Sequence, residues 1–95
     1  MLIGMLVSSI ISSIVDQEIA LGVGLGFLAM GIGVGLGCIA AGIAVGRTGT
    51  AAIASATEKP EMFTRSLIFV GLAEGIAIYG LIVALLIWIN LPSLA

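Results

Sequence analysis

The sequence predicts an all-α membrane protein, a two-transmembrane-helix hairpin that assembles into a closed homo-oligomeric ring. Three observations predict it. The 95 residues are 61% hydrophobic and 8% charged, with a mean hydropathy of +1.38, far from the balance of a soluble domain. Two long apolar stretches are separated by a short charged segment around Pro60. The first of these stretches holds most of the fourteen glycines, which weaken an isolated helix and so point to close helix packing.

The same composition removes whole classes of function. The chain has no histidine and one cysteine, so the groups used for metal binding or nucleophilic catalysis are nearly absent. No catalytic residue, metal site or cofactor is expected, nor is a stand-alone enzyme. Three basic residues against a net charge of -2 leave no electrostatic footprint for nucleic acid.

Charges mark the elements. Asp16 and Glu18 precede the first apolar stretch, Ile19 to Gly46. Arg47 follows it, then Glu58, Lys59, Glu61 and Arg65 around Pro60, and finally Glu74 alone within the second stretch, Ser66 to Ile89. Each stretch reaches the roughly 20 residues that a helix needs to cross a bilayer. The expected elements are an N-terminal apolar segment over residues 1–17, a glycine-rich inner helix over 18–57, a loop over 58–61, an outer helix over 62–91 and a tail over 92–95. Proline ends the incoming helix, and Glu61 suits the first turn of the next. Arg47, Lys59 and Arg65 lie on the loop side and Asp16 and Glu18 at the far end. The positive-inside rule therefore puts the loop in the cytoplasm and both termini outside the plasma membrane. Trp88, Asn90 and Pro92 suit the far interface.

Residues 1–15 are apolar with paired serines. They resemble a signal-peptide core without its basic start or small-residue cleavage site. The expectation is that they are retained as an extra turn or short helix at the outer surface.

At about 100° per residue, with Gly22 at zero, Gly22, Gly26, Gly33 and Gly37 fall between roughly 0° and 60°. Gly24, Gly31, Gly35, Gly42, Gly46 and Gly49 fall between roughly 180° and 240°. A helix dimer needs one smooth face, whereas a helix packed against an identical neighbour on each side needs two, as in a closed ring. Between them run two stripes. Phe27, Val34, Cys38, Ala41 and Val45 lie near 140°, and Leu25, Ile32, Leu36 and Ile43 near 300°. One should meet the outer helix and the other the ring interior.

Glu74 is the acid of the second span. An ionised carboxylate in hydrocarbon costs several kcal/mol, which makes an intramembrane acid a functional-site hypothesis by default. It is expected to travel neutral through lipid and to ionise where water or a cation reaches it, as a proton carrier does. The structural alternative is an acid hydrogen-bonded between helices, with Tyr79 as the polar residue on its own helix. Arg47 is nearly level with Glu74 but is expected to point toward the ring interior or a neighbouring inner helix. Cys38 reads as an inert packing residue.

The run Glu58-Lys59-Pro60-Glu61-Met62-Phe63, followed by Glu74-Gly75-Ile76-Ala77-Ile78-Tyr79-Gly80-Leu81, closely resembles the c-subunit (proteolipid) of rotary ATPases. The short proline-to-carboxylate spacing is similar to the archaeal and vacuolar branch. Gly46-Arg47-Thr48-Gly49-Thr50 likewise resembles the small-residue, single-cation stretch of vacuolar-type proteolipids. The resemblance covers residues 22–89 and is to the single-hairpin form.

The resemblance implies a ring of identical hairpins in lipid, with glycine helices inside and glutamate helices outside. It implies a stator subunit with an essential arginine and central-stalk subunits at the cytoplasmic loop, Glu58, Lys59, Pro60 and Glu61. Each Glu74 would release and regain a proton through two aqueous half-channels, coupling ion flow to ATP synthesis or hydrolysis. Tyr79 would support the glutamate of its own or the adjacent hairpin. Val45 lines the site where sodium-binding relatives place a glutamine. With Gly75 and Ile76 after the acid, too few oxygens remain for sodium, so a transported proton is expected and a sodium-coupled ring is the alternative. Outside this family, a small multidrug or cation exporter with an intramembrane glutamate is the competing reading, though such carriers usually have four spans. A holin-like pore former is the third, and it gives no reason for two glycine faces or a central acid.

Overall fold

The structure, a computed structural model, describes residues 1–92. It contains two helices, α1 (Leu2–Glu58) and α2 (Phe63–Asn90), joined by Lys59 and a 3₁₀ turn over Pro60–Met62. Both are long and apolar enough to cross a membrane. The architecture is the one expected from the hydropathy, an antiparallel helical hairpin with no strand among the described residues.

The turn follows from Pro60. The residue before a proline avoids the helical region, and Lys59 is extended (φ -137, ψ 94). Its N–H still closes the last helical turn on the Ser55 carbonyl at 2.8 Å, and its own carbonyl accepts from the Met62 N–H at 2.9 Å. The expected loop over 58–61 is thus tighter than a loop: Glu58 belongs to α1 and Glu61 to the 3₁₀ turn.

The N-terminal segment departs from expectation. There is no break at 17/18, and no separate turn or short helix. Residues 2–58 form one helix of 57 residues, and at about 1.5 Å per residue this accounts for the molecule's 84 Å length against a 17 × 12 Å cross-section. No proline or glycine occurs between Met5 and Leu21, and Asp16-Gln17-Glu18 carries no helix-breaking backbone of its own, so nothing interrupts the i→i−4 ladder. Of the expected tail over 92–95, residues 93–95 lie outside the described residues.

The seam between the helices is built of small residues. On α2 the residues withdrawn from the surface are Ser66, Val70, Ala73, Ala77, Gly80, Ala84 and Ile87, followed by Leu91 just past its end, alternating steps of four and three as in a left-handed helix pair. On α1 the matching set includes Val23, Gly26, Met30, Gly33, Val34, Gly37, Ala41, Val45, Thr48 and Ser55. The backbones approach closely at the centre. A Cβ on Gly80 would stand 3.2 Å from the Gly33 carbonyl oxygen, and one on Gly37 would stand 3.6 Å from the Gly80 Cα. At the loop end the Ser55 and Ser66 hydroxyls bond each other at 2.9 Å, and at the far end the Leu91 side chain occupies the notch left by Gly26.

This seam corrects the glycine-face reading. The helical wheel assigns Gly22, Gly26, Gly33 and Gly37 to a neighbouring copy, but Gly33 and Gly37 pack against α2 of their own chain and Gly26 against Leu91, while Gly22 stays exposed. The contact stripe is centred near 80°, between one glycine face and the 140° stripe, because glycine lets two backbones come together where valine or phenylalanine would hold them apart. Val34, Ala41 and Val45 join the seam, while Phe27 and Cys38 remain exposed. Gly24, Gly31, Gly35, Gly42 and Gly46 face open space.

Candidate ion-carrying site

Near its middle α2 presents two different faces. Ala73, Ala77 and Gly80 face α1. Glu74 follows Ala73 by one residue, so it is turned about 90° from the seam and is exposed on the flank of the hairpin. Tyr79 is 71% exposed and lies about 140° from Glu74, on the other flank. The two are not brought together within one hairpin, and the own-hairpin form of the Glu74–Tyr79 hydrogen bond is absent here: five residues of helix separate them by more than a third of a turn.

The pairings Gly37 with Gly80 and Ser55 with Ser66 fix the register and put Glu74 level with Ile43 to Val45 of α1. A groove identifies which side of α1 shares the Glu74 flank. It has a volume of about 430 Å³ and is lined by Gly49, Ala52, Ile53, Ala56 and Thr57 of α1 and Phe63, Leu67 and Val70 of α2. Phe63, Leu67, Val70 and Glu74 repeat at steps of four, three and four, so the groove runs along one flank from the loop end toward the carboxylate. Val45 is half-buried at the edge of the seam on this same side. Arg47 is exposed and, at about 340° on the α1 wheel, belongs to the opposite flank, away from Glu74 of its own chain. A second groove of about 290 Å³, lined by Thr48, Ala51, Ala52, Ser55, Ser66 and Phe69, lies on that opposite flank.

Of the residues lining the first groove, sequence reading singled out Gly49 as a packing glycine, and it did not pick out the groove itself or the serine pair. The signal was present in α2, where Phe63, Leu67, Val70 and Glu74 share a heptad stripe, but a stripe does not reveal what it borders. Three threonine hydroxyls of α1 are satisfied locally, as suits an apolar setting. The Thr48 hydroxyl donates to the Ala44 carbonyl at 2.8 Å, the Thr50 hydroxyl to Gly46 at 2.7 Å and the Thr57 hydroxyl to Ile53 at 2.9 Å. The Asn90 amide closes the end of α2 on the Leu86 carbonyl at 2.7 Å. Among the described residues, no cluster of histidine, cysteine or acidic side chains could hold a metal ion.

Glu74 thus sits at mid-helix on a lateral surface that a single hairpin leaves open. A carboxylate so placed is open to whatever comes against that flank. Comparison with known proteins gives the same frame. The family model for the ATP synthase c-subunit matches residues 28–87, which include the glycine seam, the turn and Glu74. A-type ATP synthase subunit K of Sulfolobus acidocaldarius is 58% identical over 36 residues, or 38% of this chain and 36% of that protein. The chain therefore aligns with about a third of that relative's length. No solved structure matches. With the match spanning more than half of the chain and including the acid, the chain belongs to the ATP synthase c-subunit family.

Proposed function

We propose that this chain is the rotor-ring subunit of an archaeal/vacuolar-type ATP synthase or ATPase and that it carries protons across the plasma membrane on Glu74. The family is one of membrane hairpins that form rings, and the relative from Sulfolobus bears an A-type name. The observation that carries the reading to a residue is the position of Glu74, the acid within the second span, on the open flank of α2.

A ring supplies what the isolated hairpin lacks. Each copy presents the Glu74 flank to the Tyr79 flank of the next. In helices the side chains lean toward the N-terminus, so a neighbour's Tyr79 leans back toward the level of Glu74 and can offer its hydroxyl to the carboxyl. Val45 closes the same flank on the inner side without an oxygen. A hard cation stripped of water needs several oxygens, whereas a proton needs the carboxylate alone, so the apolar lining favours proton coupling over sodium. Each ion crossing contributes about 2.3 kcal/mol per 100 mV, which is why several carriers are needed for each ATP turned over. A stator arginine would discharge Glu74, stalk subunits would meet the turn at Lys59 to Glu61, and the loop would face the cytoplasm. The family match leaves the exporter and holin readings without support.

The test is carbodiimide labelling of the assembled complex, since the reagent modifies protonated carboxyls. Label confined to Glu74 with loss of coupled ATPase activity is expected. Label elsewhere with activity retained overturns the assignment. Clear protection by sodium at fixed pH would transfer the role from protons to sodium.

A further inference from the structure

The 84 Å length of the molecule exceeds what the hairpin needs. Helix α2 ends at Asn90, with Leu91 lodged against Gly26, so the first part of α1 runs on alone. Residues 2–18 are exposed throughout, and they project about 25 Å beyond the far end of the pair at 1.5 Å per residue. This extension lies outside the family match at residues 28–87.

Its surface does not suit solitude in water. Leu2 and Leu6 fall at roughly 160–200° on the wheel and Ile11 and Val15 at roughly 340–20°, so both flanks are apolar, and each of these residues is about half exposed or more. Nor can the run from Leu2 to Val15 cross a bilayer alone, being about 21 Å long against a core of about 30 Å. The helix is unbroken and nearly straight, so the path of α1 through the ring wall dictates the path of the extension.

We propose that the extensions of neighbouring copies pack side by side and raise a collar of parallel helices on the ring face opposite the turn. This inference rests on the ring reading above. A second copy is the occupant because the interface is continuous: the copies meet flank to flank along the hairpin, and a rigid helix holds each extension at the spacing set there. The Ile3–Val7–Ile10–Ile14 stripe lies in line with Leu25 and Ile32, on the side of α1 away from α2, and so faces the ring axis. The flanks between copies carry Gly4, Ile11 and Val15 on one side and Leu2, Leu6, Ser9 and Ser13 on the other.

Disulfide cross-linking in the assembled ring tests the collar. In a Cys38→Ser background, Ile11→Cys with Ser13→Cys places one thiol on each flank at nearly one level. Mild oxidation is expected to give a ladder of dimers, trimers and higher species, while each single substitution stays monomeric because a flank never meets its own copy. Intact mass of the purified subunit is expected to include residues 2–18. Closed rings that give only monomers, or a subunit lacking these residues, overturn the collar and leave the rotor reading standing. A preparation with no rings in electron micrographs overturns both.

Discussion

The two sides of α2 at mid-span differ more than their shared helix suggests. Toward α1, Ala73, Ala77, Gly80 and Ala84 form a surface finished within one chain, with Ala73 7% and Ala84 5% exposed. A quarter-turn away, Glu74 stands exposed with Phe63, Leu67 and Val70 along an open groove. The first side specifies the hairpin. The second is left open by a single chain, and in the proposed ring it is the side on which a neighbouring copy would come against the acid.

Substitutions can separate the two sides, and the largest effect belongs to the open flank. Glu74→Gln removes the titrating group but keeps its size and hydrogen-bonding capacity. Rings should form with normal yield while proton translocation in reconstituted vesicles falls to background. A Glu74→Gln ring that still pumps would remove the carboxylate from the mechanism.

Bulk added to each side should fail differently. A leucine at Gly80 has no room against the Gly33 carbonyl, so Gly80→Leu should part the helices as well as abolish rings. Spin labels at Leu36 and Ile82, exposed and level on opposite faces, would report a distance several ångströms longer than in the parent, on the order of one added side-chain layer. Gly35 faces open space in the hairpin. Gly35→Leu should leave the label distance unchanged and still prevent ring closure. Equal behaviour of the two variants would erase the distinction between seam and flank.

A finer contrast lies within the seam. Gly80→Ala puts a methyl 3.2 Å from a backbone oxygen, and Gly37→Ala puts one at 3.6 Å, an ordinary contact. Overpacking of this kind costs about 1–3 kcal/mol, so Gly80→Ala rings should dissociate at a clearly lower temperature than Gly37→Ala rings. The smallest effect is at Ser55 and Ser66. Interhelical hydrogen bonds in membranes average about 0.6 kcal/mol, and a Ser55→Ala, Ser66→Ala double-mutant cycle should return a coupling of that order. A coupling of several kcal/mol would make the serine pair a principal clamp of the turn.

Composition and hydropathy alone determined that the chain lies in a membrane as two helices, because hydrocarbon leaves a lone span no other way to satisfy its backbone. Pro60 and its charged neighbours determined the turn, through the conformation that proline forbids to Lys59. The isolation of Glu74 in an apolar stretch made it stand out without any coordinates. Helix phase was a different matter. An angular wheel ranks faces but does not say which one a partner takes, and the choice was made by close backbone approach at Gly33, Gly37 and Gly80, residues far apart in sequence. That contact moved one glycine face into the hairpin and exposed Phe27 and Cys38. It turned Glu74 to the flank, beside Val45 and away from Arg47 and Tyr79 of its own chain. The unbroken run of α1 past Glu18 was likewise written in local propensity, with no glycine or proline from Met5 to Leu21 to stop it. Only the end of α2 at Asn90 made that stretch an extension, because a helix becomes unpartnered where its neighbour stops.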